Sequence, residues 1–170
     1  MTDCLFCGLI AKKANVLYED ERVFAMLAPE PAAIGHIVVL PKQHAPIFES
    51  VPDFVVSDLF RIANKASISI FESLGAQGTN LIVQSGESAG QRHNHAMVHV
   101  IPRFENDNLP IGWNPSQTTP DQLAKMESVI KEEAKSVGSF EKEKPKPIEQ
   151  QKPKEVPKED LRIKQLRRRP

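Results

Sequence analysis

Between Gly90 and Arg103 the chain reads Gly-Gln-Arg-His-Asn-His-Ala-Met-Val-His-Val-Ile-Pro-Arg, and three of the five histidines of the 170-residue protein fall within seven positions of it. On an extended strand His93, His95, Met97 and His99 project to one face, because successive side chains alternate. Three imidazoles and a thioether side by side can bind phosphate, move protons or ligate a metal. The second chemical pattern is Cys4-x-x-Cys7. Taken alone it leaves open a redox pair, two buried thiols or half of a metal site. No apolar run approaches the ~18 residues of a membrane span. The start, Met1-Thr2-Asp3-Cys4, lacks the basic flank and apolar stretch of a signal peptide. A reducing cytoplasm is the expected setting.

These residues need elements to hold them. Val16–Tyr18 and Arg22–Leu27 flank the turn-like Glu19-Asp20-Glu21 and predict an antiparallel hairpin. His36–Leu40 reads as a short apolar strand ended by Pro41. Asp53 is placed to cap a helix with Val55, Leu59, Ile62, Ala66, Ile70 and Leu74 on one face, closed by Gly75. Asn80–Gln84 and His95–Ile101 read as two further strands. Thr119-Pro120-Asp121-Gln122 has the capping-box pattern with proline at the first helical position. It opens a second helix carrying Leu123, Met126, Val129 and Ile130 on one side and ending near Gly138. About five strands in consecutive blocks with two main helices indicate an α+β architecture rather than repeated βαβ units.

On these residues the chain resembles the histidine triad (HIT) superfamily of nucleotide hydrolases and transferases. The signature of that family is His-x-His-x-His followed by two apolar residues, often then Pro-Arg, with Gly-Gln a few residues upstream. The resemblance runs over residues 3–104. It takes in Cys4-Leu5-Phe6-Cys7, the hairpin, Gly35-His36 through Leu40-Pro41-Lys42-Gln43-His44, the long helix, and Gly86 through Gly90-Gln91. It implies a HIT-like fold with a five-stranded antiparallel sheet, usually a homodimer whose sheets join. Gly90-Gln91 and Pro102-Arg103 anchor the register, making His95 the first triad position, Met97 the second and His99 the third. His93 falls where the family usually has an apolar residue. A register slid by two, with His95 in the attacking position, would violate both anchors.

The second histidine is the family's nucleophile, which attacks the α-phosphate and forms a covalent nucleotidyl-imidazole. Met97 stands in its place. A thioether has no removable proton and is absent from the usual covalent nucleophiles, so no intact catalytic set is expected. Where the family places an Asp or Asn for the ribose hydroxyls, this chain has Ala28, with Glu30 two residues on. The resemblance implies nucleotide contacts at Gln84, Gly90, Gln91 and His99. Arg92 replaces the Ser or Thr that relatives often offer to phosphate, and arginine can still hold phosphate. Zinc-containing relatives use the positions of Cys4, Cys7, His44 and His95, and two thiolates with two imidazoles suit a closed, structural Zn²⁺ site. His36, at a strand start, is read as structural.

Residues 1–140 are expected to form the HIT domain. Residues 141–170 form a Lys/Pro-rich tail that is expected to be disordered and ends in the basic peptide Leu161–Arg169. The formal net charge of zero hides a charge of +5 on that tail and −5 on the rest. Three functions fit. The first is a purine-nucleotide-binding protein with a structural zinc that lacks normal nucleotidyl hydrolase or transferase activity, hence a pseudoenzyme. The second is an active nucleotide phosphoramidase or dinucleoside polyphosphate hydrolase. The third is a dimeric adaptor whose tail docks on RNA, a ribosome or a protein partner.

Overall fold

The structure, a computed structural model, describes residues 4–135 and 137. The expected tail, 141–170, lies outside the described residues. The chain divides into two compact units, one reaching Leu109 and one beginning at Pro110.

The first unit contains α1 (Leu5–Ala11), β1 (Val16–Glu19), β2 (Val23–Leu27), β3 (Ile37–Pro41), α2 (Asp53–Leu74), β4 (Gly78–Val83) and β5 (Val98–Arg103). The five strands form one antiparallel sheet in the order β1-β2-β3-β5-β4. The β1–β2 hairpin turns where expected, because the Asp20 carboxylate accepts hydrogen bonds from the backbone N–H groups of Arg22 (2.8 Å) and Val23 (2.7 Å). Alternation along β2, β3 and β5 sorts the core into two layers. Val23, Ala25, Ile37, Val39, Val98 and Val100 face α2 and pack on Val55, Leu59, Ile62, Ala63 and Ile70. Phe24, Met26, Val38, Leu40 and Met97 form a second cluster with Phe6, and Leu9 and Ile10 of α1 pack against it. Because both faces are covered, β2 and β3 are apolar nearly throughout.

Several sequence expectations are corrected. The N-cap of α2 is Pro52, not Asp53, and no side chain caps that end; the Pro52 carbonyl accepts from Val55 and Val56 instead. Phe71, not Leu74, continues the buried face, and Leu74 is exposed. Gly75 does end the helix, at φ +65, where glycine is the residue without strain. The last strand begins at Val98 rather than His95. The short helix α1 was not expected at all. In the second unit, α3 (Pro120–Ala134) opens with the expected capping box. Thr119 Oγ1 accepts from Gln122 N–H at 3.3 Å, and Gln122 Oε1 accepts from Thr119 N–H at 3.0 Å. Among the described residues, no helix is long and apolar enough to cross a membrane.

Candidate functional site

Three separate stretches of chain deliver one cluster of metal-ligating atoms. Cys4 and Cys7 come from the start of α1, His44 from the turn after β3, and His95 from the loop before β5. Their donor atoms all lie within 4.8 Å of one another. His95 Nδ1 stands 3.5 Å from Cys4 Sγ and 3.7 Å from Cys7 Sγ, and His44 Nδ1 stands 3.4 Å from Cys7 Sγ. With Zn–S of about 2.3 Å and Zn–N of about 2.05 Å, sulfur and nitrogen ligands on a tetrahedron are about 3.6 Å apart. The observed separations match that spacing, so the donor set fits the ion.

The surroundings of His95 also suit a ligand. It is fully buried, and its Nε2–H donates to the Pro41 carbonyl at 2.9 Å. This leaves the Nδ1 lone pair toward the two sulfurs, the arrangement in which an outer hydrogen bond fixes a ligand's tautomer. Burial, and then the neighbouring His44, hold its pKa below the ordinary histidine value. Burial, and then Cys4, hold the Cys7 thiol above its ordinary value. Crowding two thiols without a cation disfavours the second thiolate; a divalent ion removes that penalty.

The expected row of four side chains on one strand face does not form. Residues 93–97 leave the sheet because their backbone is claimed elsewhere. The Ala96 N–H donates to the Ala45 carbonyl at 2.7 Å, and the His95 N–H donates to the His93 carbonyl at 2.8 Å. His95 therefore turns to the cysteines. Both ring nitrogens of His95 are committed, one to the Pro41 carbonyl and the other toward the two sulfurs.

Met97 is 6% exposed and packs in the cluster of Phe6, Phe24, Met26, Val38 and Leu40. His99, paired with Val38 across β3 and β5, lies on that same face. Here the structure brings in a residue whose connection the sequence did not reveal. His36 is 5% exposed, and its Nδ1 accepts from the Ala32 N–H at 3.0 Å. Its proton is therefore on Nε2, which donates to His99 Nδ1 at 3.1 Å. By the same logic His99 carries its own proton on Nε2. Burial, and then the charge of His99, push the His36 pKa down to about 4. Burial, and then His93, lower that of His99.

The remaining residues expected at this site have distinct placements. Gln84 directly follows β4. Its amide lies beside Gly90, where a Cβ would come within 2.7 Å of Gln84 Nε2 and push that side chain aside, and φ at +85 favours glycine there. The Gln91 amide is already engaged: it donates to the carbonyls of Pro46 (2.6 Å) and His93 (2.8 Å) and accepts from Gly86 N–H (2.7 Å). Its role in the structure is to fold the β4–β5 connection on itself and tie it to the segment after β3. Arg92 is exposed and makes no ion pair among the described residues. Ala28 packs beside the Met97 cluster, and Glu30 is exposed.

The sheet order, the cluster and the paired histidines can be set beside known proteins. A model of the HIT domain matches residues 11–106, more than half of the chain. The chain belongs to the HIT family. It is 38% identical over 106 residues to an uncharacterized HIT-like protein of Methanocaldococcus jannaschii, covering 61% of this chain and 81% of that relative. It is 28% identical over 141 residues to an adenosine 5'-monophosphoramidase of Candida albicans, covering 79% and 93% of the two chains. The crystal structure of a Zn-bound histidine triad family protein from Mycobacterium smegmatis superposes with a TM-score of 0.60 at 27% identity, covering 75% of this chain and 97% of that one.

Proposed function

We propose that this HIT-family protein binds a purine nucleotide at the His99 face without the family's nucleotidyl transfer, and that a structural zinc on Cys4, Cys7, His44 and His95 holds its N-terminus to the sheet. The observation that carries the reading is Met97, seated among apolar side chains at the position the family pattern gives to its nucleophile. A thioether there offers no proton to remove and no stable covalent phosphorylated state. The His36–His99 pair remains, with an imidazole N–H free to meet phosphate. The family pattern gives Gln84, Gly90, Gln91 and Arg92 to the same site; the Gln84–Gly90 contact and the Gln91 hydrogen bonds that set the loop support this, and Arg92 brings a guanidinium without an ion pair among the described residues. The monophosphoramidase relative supports a nucleoside monophosphate as the ligand class.

Zinc held by four protein ligands has no open position, so its contribution is to folding. Strand β4 is an edge of the sheet, and its Leu81 is 43% exposed. An unpaired apolar edge supports strand pairing with a second copy, in keeping with the homodimer that the family pattern implies. The test is to titrate the purified, zinc-loaded protein with AMP while assaying release of AMP from a phosphoramidate-linked adenylate. Saturable binding with no turnover is expected. Turnover at an enzymatic rate would overturn the pseudoenzyme reading; no saturable binding would overturn the nucleotide reading.

A further inference from the structure

Resting on that nucleotide reading, we infer that His93 is a phosphate-binding residue that, with His99, supplies the imidazole contacts the site lacks at Met97. His93 belongs to the loop that leaves the sheet, and that loop is locked. The His93 carbonyl accepts from Gln91 Nε2 at 2.8 Å and from the His95 N–H at 2.8 Å, while Gln91 is tied to Pro46 and Gly86. The His93 ring meets Phe6 edge-on, with centroids 5.1 Å apart and planes at 75°. Phe6 belongs to the same buried cluster as Met97. The imidazole therefore stands against the cluster that holds Met97, on a backbone fixed before any ligand arrives.

Its polar atoms are unclaimed. Among the described residues none hydrogen-bonds the His93 ring, which is only half-buried, and none hydrogen-bonds His99 Nε2. Val38, the cross-strand partner of His99, belongs to the same buried cluster as Phe6, so both rings border that cluster. Two imidazoles with an unclaimed N–H thus border one apolar cluster, and Arg92, exposed and without an ion pair among the described residues, is next to His93 in the chain. Donors without a carboxylate partner suit an anion, and the phosphoryl group of a nucleoside monophosphate offers three acceptor oxygens. No bond is made or broken in this role; His93 replaces a contact, not the nucleophile.

Long-range ¹H–¹⁵N spectra of the imidazoles in the full-length, zinc-loaded protein test the inference, with AMP and inorganic phosphate as separate titrants. Ring signals of His93 and His99 should move together along one saturation curve with AMP. His93→Phe keeps an aromatic ring against Phe6 but removes both nitrogens. It should weaken AMP by about ten-fold or more, the scale of one hydrogen bond to a charged group, with metal content and melting temperature unchanged. His93→Gln, which restores an N–H donor, should recover part of the loss. Equal AMP affinity in parent and His93→Phe, or movement of His99 alone, would overturn the role of His93 and leave the nucleotide reading standing. If AMP fails to bind but inorganic phosphate shifts both rings, the nucleotide reading falls and the anion contact stands. If neither titrant moves either ring, both fall.

Discussion

Two sites share one short segment of chain, and they have opposite characters. At His95 the segment reaches the cysteine cluster, where every donor atom has a counterpart at metal-ligand spacing and the ring's far nitrogen is held by Pro41. Two residues later Met97 turns to the other cluster, buried among Phe6, Phe24 and Met26. Beyond it His99 pairs with His36 but offers a free N–H outward. The first arrangement is closed and complete, as stability requires. The second is open and lacks one imaginable imidazole, yet its supports are kept. On the reading proposed above, the fold keeps its metal-holding chemistry and its phosphate-facing scaffold while the reactive atom is exchanged, and function is argued from the site rather than from the fold.

The largest effect should come from breaking the closed site. Cys7→Ala is expected to lose the metal and lower the melting temperature by more than ~10 °C, because a structural ion's binding energy is folding energy. Metal analysis with a thermal melt checks this, and an unchanged melt would mean the four ligands hold nothing of structural weight. Next is Met97→Ala, expected to cost about 2–5 kcal/mol by emptying a packed apolar site. Met97→Leu should cost less than ~1.5 kcal/mol. Urea titrations of both variants would sharpen the contrast, and a cost below about 1 kcal/mol for Met97→Ala would show that the second cluster is not close-packed.

A smaller effect than that of Met97→Ala is a pH dependence. The His36 pKa is about 4 in the folded protein against an ordinary value of 6.5. As pH falls through 6.5 the unfolded chain takes up a proton there and the native state does not. The stability from this group is therefore complete above pH 6.5 and is lost between 6.5 and 4, by at most about 3 kcal/mol. His36→Gln should remove that slope relative to the parent. Both proteins keep the four cluster ligands, so acid release of metal affects them alike. Parallel stability curves for parent and variant over this range would contradict the buried, neutral His36.

Much of the frame was legible because local signals agreed with tertiary structure. Asp20 marked the hairpin turn, Gly75 the end of α2, and Thr119 with Gln122 the start of α3. The cluster Cys4, Cys7, His44 and His95 was also readable, through its resemblance to a family pattern. What misled was period two at His93, His95, Met97 and His99. It mimics a strand, but the backbone of 93–97 finds its partners in Ala45 and within its own loop. The His36–His99 bond was invisible for a different reason. It depends on β3 lying beside β5 with Val38 opposite His99, a pairing between residues 61 positions apart in the chain. Helix α1, of only seven residues, is too short for a periodic signal and is held by Phe6 and the packing around it rather than by propensity.

The central claim is that the site binds nucleotide but has lost its covalent step. Mixing the zinc-loaded protein with an adenosine phosphoramidate, quenching, and measuring the intact mass tests it most directly, with Met97→His run in parallel. The account predicts no adenylylated species for the parent at any time point, under conditions where AMP binding is saturated. An adduct in Met97→His alone would show that only the nucleophile is missing. An adenylylated parent would contradict the account outright.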